Sequence, residues 1–182
     1  MDLAALDEDL NSGSMKPVYL FFGPEAFLKK HYTLRMTEMV PERLQGFNLE
    51  RLLAEENPVS DIMERAYTMP FAQPPRVIIV QGVDRYSAED LSEFKDYLSG
   101  PNESTCLVLV ADKPDFRIGF FKVIKAKGFE INFDPPRGRG LVAWVKNTGA
   151  ERGWAVTEDA ARTLIELAGT DLSNLDLSLI HI

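Results

Sequence analysis

Thiol and imidazole are scarce in this chain: Cys106 is the one cysteine among 182 residues, and His31 and His181 are its only histidines. That excludes an internal disulfide and a zinc-like Cys/His cluster. Cys106 sits inside the apolar run TCLVLVA and reads as a buried small hydrophobe rather than a nucleophile. Basic charge is also short, with 20 Lys and Arg against 28 Asp and Glu, for a formal charge of -8. A protein that coats nucleic acid through bulk electrostatics needs Lys and Arg to displace counterions, so that class is excluded, although local basic patches are not. No apolar run approaches the length that spans a bilayer, and residues 1–15 lack the basic start and apolar centre of a signal peptide. The expectation is a cytoplasmic protein with no membrane partner. Paired carboxylates, a Ser/His/Asp set and a glycine-rich dinucleotide motif are missing as well. No cofactor and no metal are expected.

What is present is an ordinary globular composition, 45% hydrophobic with 10% aromatics, enough for a core of one domain or of one domain and part of a second. Leu3, Leu6 and Leu10 have helical spacing before the turn NSGS. Strands are expected in PVYLFF, RVIIVQG, TCLVLVAD and FEINFD, and in FNLERLLA, which is ambiguous with helix. Between them lie helices carrying Leu28, Tyr32, Met36 and Met39; then Ile62, Ala66 and Met69, with Asn57 as cap and Pro58 as first helical residue; then Leu91, Phe94 and Leu98, capped by Ser87; then FRIGFFKVIKAKG. Alternating strands and helices imply an α/β fold, a mostly parallel sheet with helices on both faces. At DPPRGRG the composition changes to that of a hinge, and only helices follow: LVAWVKNTGAERG, TEDAARTLIELAG and a third from near Asp171. The expected division is 1–137 and 138–182.

Three constellations stand out. The first is GPEAFLKK, a strand-to-helix step resembling a phosphate loop, GxxxxGK[ST]. Gly23 and Lys29 fit the template; Leu28 stands where the second glycine belongs, and Lys30 where a hydroxyl should bind magnesium. The candidate acidic strand RVIIV is followed by Gln81 and Gly82, with Asp84 further on and no Asp-Glu pair. The scaffold is kept and the chemistry is missing. The second is YTMPFAQPPR, where Pro70 must stop a helix and leaves Met69 and Phe71 on a stiff corner. They either fold back onto the core or form an apolar wedge for a partner's pocket. The third is basic, Arg117, Lys122, Lys125 and Lys127 with Arg137 and Arg139 at the hinge; it is a solvated helix face or, through Lys122 and Lys125, a DNA backbone contact.

LDEDLNSGSMKPVYLFFGPEAFLKK, FNLERL, MPFAQPPRVIIV, CLVLVADKPDFR and GWAVTEDAARTLIELAGTDLSNL, in that order, resemble the delta subunit of the bacterial DNA polymerase III clamp loader. The resemblance runs from Leu6 to Leu175. It implies an AAA+-like, P-loop NTPase-type domain that has lost nucleotide binding, followed by a helical lid-like domain from about Gly140. It further implies that Met69, Pro70 and Phe71 dock on the sliding clamp (beta) and help to open the ring for loading onto DNA; some members carry leucine where this chain has Pro70. Implied partners are the clamp, the gamma/tau and delta prime loader subunits, and DNA through the assembled loader. The subunit would be a non-catalytic part of a DNA-directed DNA polymerase, a nucleotidyltransferase complex active in replication. On the same resemblance the family's third domain, a helical collar, is expected to be missing from this sequence, and the tail DLSLIHI departs from the family's continuation, as a truncation or foreign sequence would. The rival reading is a divergent P-loop ATPase or nucleotide kinase using Lys29, and a further one is a DNA-binding adaptor using the basic helix.

Overall fold

Five strands form where the apolar runs lie: β1 (Val18–Phe22), β2 (Leu49–Leu53), β3 (Arg76–Gln81), β4 (Thr105–Val110) and β5 (Glu130–Asn132). In this computed structural model, which describes residues 3–181, they make one sheet in the order β2-β3-β4-β1-β5 with every pair parallel. Val18 lies opposite Leu107, and Ile79 opposite Val108. The central strands β1, β3 and β4 are buried on both faces, which is why their sequences run apolar without alternation. β2 is an edge strand with Glu50 and Arg51 in its middle, and that half-exposed pattern made its sequence ambiguous with helix.

Nine α-helices occur among the described residues. The first seven are α1 (Leu3–Ser12), α2 (Ala26–Glu38), the single turn α3 (Gln45–Asn48), α4 (Val59–Tyr67), α5 (Ala88–Ser99), α6 (Gly119–Ala126) and α7 (Arg139–Glu151). One face of the sheet, with Leu20, Ile78, Val80, Leu107 and Leu109, forms a single buried cluster with Ile62 and Ala66 of α4, Leu91 and Phe94 of α5, and Phe120, Phe121 and Ile124 of α6. The alternate residues Tyr19 and Phe21 point to the other face by the two-residue period of a strand. There the Tyr19 hydroxyl donates to Asp9 of α1 at 2.9 Å, and Phe21 and Tyr32 of α2 both meet the ring of Phe133. Each fully buried Leu or Phe contributes about 1.5–3 kcal/mol by leaving water.

Helix ends follow local chemistry, with three departures from the sequence reading, one of them at the end of α4, which stops at Tyr67 and leaves Met69, expected on its apolar stripe, outside the helix. Ser87 and Asp90 form a reciprocal capping box at α5. At α4, Pro58 is the extended N-cap residue and Val59 the first helical one, while the Asn57 amide donates to Leu53 O at 2.9 Å instead of capping. The helix expected over FRIGFFKVIKAKG begins only at Gly119, because the Asp115 carboxylate accepts from the Arg117 backbone and guanidinium and holds a turn there.

The chain divides into two compact units, Met1–Phe133 and Asp134–Ile182. In the second, α7 packs with α8 (Glu158–Ala168) and α9 (Leu172–His181) around Leu141, Val145, Ala161, Leu172, Leu175 and Leu179. Thr157 caps α8 by accepting from the Ala160 N–H at 3.2 Å. Among the described residues no helix is long and apolar enough to cross a membrane.

Candidate functional site

The strand order reverses between β1 and β4, and the carboxyl ends of those strands are where an open α/β sheet binds ligands. GPEAFLKK follows β1 at that place, but its groups are already engaged. Gly23 has φ 113, and a Cβ there would lie 2.7 Å from both Asn132 Oδ1 and Phe133 O. The Phe133 N–H donates to Phe22 O at 2.7 Å, and the Glu25 N–H donates to Phe133 O at 3.0 Å, so this backbone is joined to the segment leaving β5 instead of wrapping an open space. Glu25 caps α2, its carboxylate accepting from the Phe27 N–H at 3.0 Å. A negative charge thus occupies the helix N-terminus, where the dipole would otherwise favour a phosphate. Leu28 is buried and Lys30 exposed. Lys29 is buried, its ammonium donating to Ala111 O at 3.3 Å and paired with the Asp112 carboxylate. The hydrogen bond and charge of Lys29 hold the Asp112 carboxyl below the usual carboxylate range. Asp84 is engaged as well, accepting from the backbone N–H groups of Asp112 and Lys113 at 3.1 and 2.9 Å. Among the described residues no cluster of His, Cys, Asp and Glu could hold a metal ion. Burial pushes the Cys106 thiol pKa upward, as an inert core cysteine requires.

The proline corner has the opposite character. α4 ends at Tyr67; the Thr68 N–H and hydroxyl both reach back to Glu64 O, and Pro70 prevents another turn. Met69 is 68% exposed and Phe71 57%, so neither folds back onto the core. The Phe71 ring stacks on that of Phe47, itself 59% exposed, with centroids 4.8 Å apart. Beneath the pair, Asn48 is fully buried. Its amide accepts from the Phe71 N–H at 2.7 Å and donates to Phe71 O and Gln73 O, each at 3.1 Å. Between them Ala72 adopts φ 63, and the Gln73 N–H closes a three-residue turn onto Phe71 O at 2.7 Å. A further tie runs through charge: Glu50 of β2 pairs with both Arg65 of α4 and Arg76 of β3, and Arg76 also donates to Phe47 O at 3.0 Å. Phe47 and Asn48 are the residues that sequence reasoning missed. They lie in FNLERLLA, read as a strand ambiguous with helix, whereas the strand begins only at Leu49, and a hydrogen bond across 23 positions leaves no local signal.

Lys122 and Lys125 are exposed on α6, away from its buried residues Phe120, Phe121 and Ile124. The Lys125 ammonium lies 5.4 Å from the centre of the Phe116 ring. Arg117 is paired with Asp115, whose carboxyl it pulls down to about 2, and Arg137 and Arg139 are exposed in the second unit.

A family model described as DNA polymerase III, delta subunit, matches residues 19–134. A curated relative from Bacillus subtilis, DNA polymerase III subunit delta, is 25% identical over 179 residues, covering 92% of this chain and 52% of its own length. The chain therefore spans about half the length of that relative. Among solved structures, the Bacillus subtilis DNA clamp loader delta protein superposes with a TM-score of 0.84 at 23% identity, over 98% of this chain and 56% of that one. Domain III of the Thermotoga maritima replication initiation protein DnaA superposes with a TM-score of 0.54 at 13% identity, over 97% of this chain and 80% of that one. At these identities the superpositions speak to the fold alone, an AAA+-like α/β architecture.

Proposed function

The chain belongs to the DNA polymerase III delta subunit family, and from that premise we propose that it binds the sliding clamp and helps to open the ring without binding nucleotide itself. The observation that carries this reading is the exposed, rigidly held corner at Met69, Pro70 and Phe71. Large apolar side chains in water that are already fixed in place lose little entropy on docking, which is the character of a binding anchor. Phe71 and Met69 would enter an apolar pocket on the clamp. The α/β body would then hold the ring open by binding that form more tightly than the closed one, since equal affinity for both shifts nothing. The gamma/tau and delta prime subunits complete the assembly, ATP acts on those partners, and DNA is met through the assembled loader, with Lys122 and Lys125 as the candidate backbone contacts.

Lys29 supports the non-nucleotide part of the reading. A phosphate-binding lysine must be free to reach its ligand, and this one is buried against Ala111 O and Asp112, with the Glu25 carboxylate at the head of the helix. The test is a titration of the protein against a purified bacterial sliding clamp, wild type beside Phe71→Ala, with and without magnesium ATP. Phe71→Ala is expected to weaken clamp binding by about 2 kcal/mol or more, as for a buried anchor, with unchanged melting and no effect of ATP. Unchanged affinity with a lowered melting temperature would reduce Phe71 to a structural residue. ATP binding that is lost in Lys29→Ala would instead establish the enzyme reading.

A further inference from the structure

We propose that the clamp-docking element has a second half, Phe47 and Asn48: Phe47 extends the apolar anchor as one stacked pair with Phe71, and Asn48 is the positioning residue that holds Phe71 ready to bind. The inference rests on the docking reading above. Its starting point is the chemistry of Asn48. A fully buried primary amide must satisfy both its oxygen and its nitrogen or carry a desolvation penalty. All three hydrogen bonds found for this amide go to one short stretch, the N–H and C=O of Phe71 and the C=O of Gln73. The side chain therefore acts on Phe71 as a neighbouring strand would, pairing its donor and its acceptor together.

That stretch needs an external hold. It follows a helix stopped by proline, and it contains Ala72 at φ 63, a conformation that residues other than glycine rarely adopt. Without Asn48 the local preference of the chain is to leave that turn, and Phe71 would then spread over several orientations. Affinity falls in proportion to the fraction of molecules that hold the competent conformation, so a residue that never touches the clamp can still set the strength of binding. Phe47 differs, because its ring is itself exposed and lies against Phe71. Its backbone is fixed by Arg76, which donates to Phe47 O and is paired with Glu50. A pocket that receives the ring of Phe71 meets the ring of Phe47 beside it.

The experiment measures clamp affinity and amide hydrogen exchange on Asn48→Ala, Asn48→Asp, Phe47→Ala and Phe71→Ala, and on the double variant Asn48→Ala/Phe71→Ala, using a purified bacterial sliding clamp. Asn48→Ala is expected to speed exchange at the amides of Phe71 and Gln73 while those of β3 stay protected, and to raise Kd about tenfold. Asn48→Asp keeps the acceptor for the Phe71 N–H but sets a fully buried carboxylate oxygen against the carbonyls of Phe71 and Gln73, so its Kd should rise at least as far as that of Asn48→Ala. In the Phe71→Ala background, Asn48→Ala should raise Kd no further, a non-additivity that a purely structural role would not produce. Phe47→Ala should raise Kd severalfold with unchanged melting. If Phe71→Ala weakens binding while Phe47→Ala and Asn48→Ala do not, or if the Asn48 and Phe71 losses add, this inference is overturned and the docking reading stands. If none of the variants weakens binding of a clamp that the wild type binds, both fall together.

Discussion

Lys29 fits the lysine position of the phosphate-loop template by spacing, and in the structure its ammonium is committed to the protein itself. Its ammonium is buried and paired with the Asp112 carboxylate, which is itself largely exposed. Replacing a buried ion by an apolar residue of similar length is often neutral, and the Asp112 left behind remains in water. Lys29→Met is therefore expected to change stability by no more than about 1 kcal/mol and to leave clamp binding intact. The pair also gives the pH dependence a sign. Lys29 depresses the pKa of Asp112 in the folded state, so its contribution is present above the carboxyl's unfolded value, near 4, and is lost as the pH falls through the lower folded value. Solvent screening at an exposed carboxylate keeps that contribution well under about 1 kcal/mol. Denaturant melts between pH 5 and 2 should show a slightly shallower acid loss in Lys29→Met than in wild type. An acid loss as steep as in wild type would mean that Asp112 is held by something other than Lys29.

At the scale of elements, the most demanding contact in the second unit is the approach of α7 to the segment before α8. A Cβ at Gly149 would lie 2.4 Å from Val156 Cγ2, a stiff β-branched side chain that has little room to turn away. Gly149→Ala is thus expected to destabilise the helical unit by about 1–3 kcal/mol through overpacking, read as an earlier melting transition, with the α/β unit and its clamp binding unaffected. How far each element could be read from sequence follows from where its determinants lie. β1, β3 and β4 were legible because burial on both faces writes itself as an unbroken apolar run. The cap Ser87 was legible because capping is local. α4 begins one residue late because Asn57 bonds backward to Leu53, and α6 begins late because Asp115 prefers its own turn. At the candidate site, Met69, Pro70 and Phe71 were visible as a broken helix with apolar ends, yet their exposure was not, since exposure depends on what the fold brings nearby. Asn48 was invisible, because its role exists only once β2 and β3 pair and carry FNLERL to the corner.

The molecule joins a helical unit to an AAA+-like α/β unit in which Glu25 and Lys29, at the loop after β1, are engaged by the protein's own groups, and whose other prominent feature is an exposed apolar corner. A protein with those two properties can act on a ring only through a difference in affinity, drawing its effect from binding rather than from hydrolysis. The central claim is therefore that this protein prefers the opened clamp. The most direct measurement compares its Kd for an intact clamp ring with its Kd for a clamp whose subunit interface has been broken by mutation, without nucleotide in either case. Binding to the opened form should be tighter by about tenfold or more, and Phe71→Ala should weaken both. Equal affinity for the two forms would leave a clamp-binding protein with no means of opening the ring, and would contradict the account.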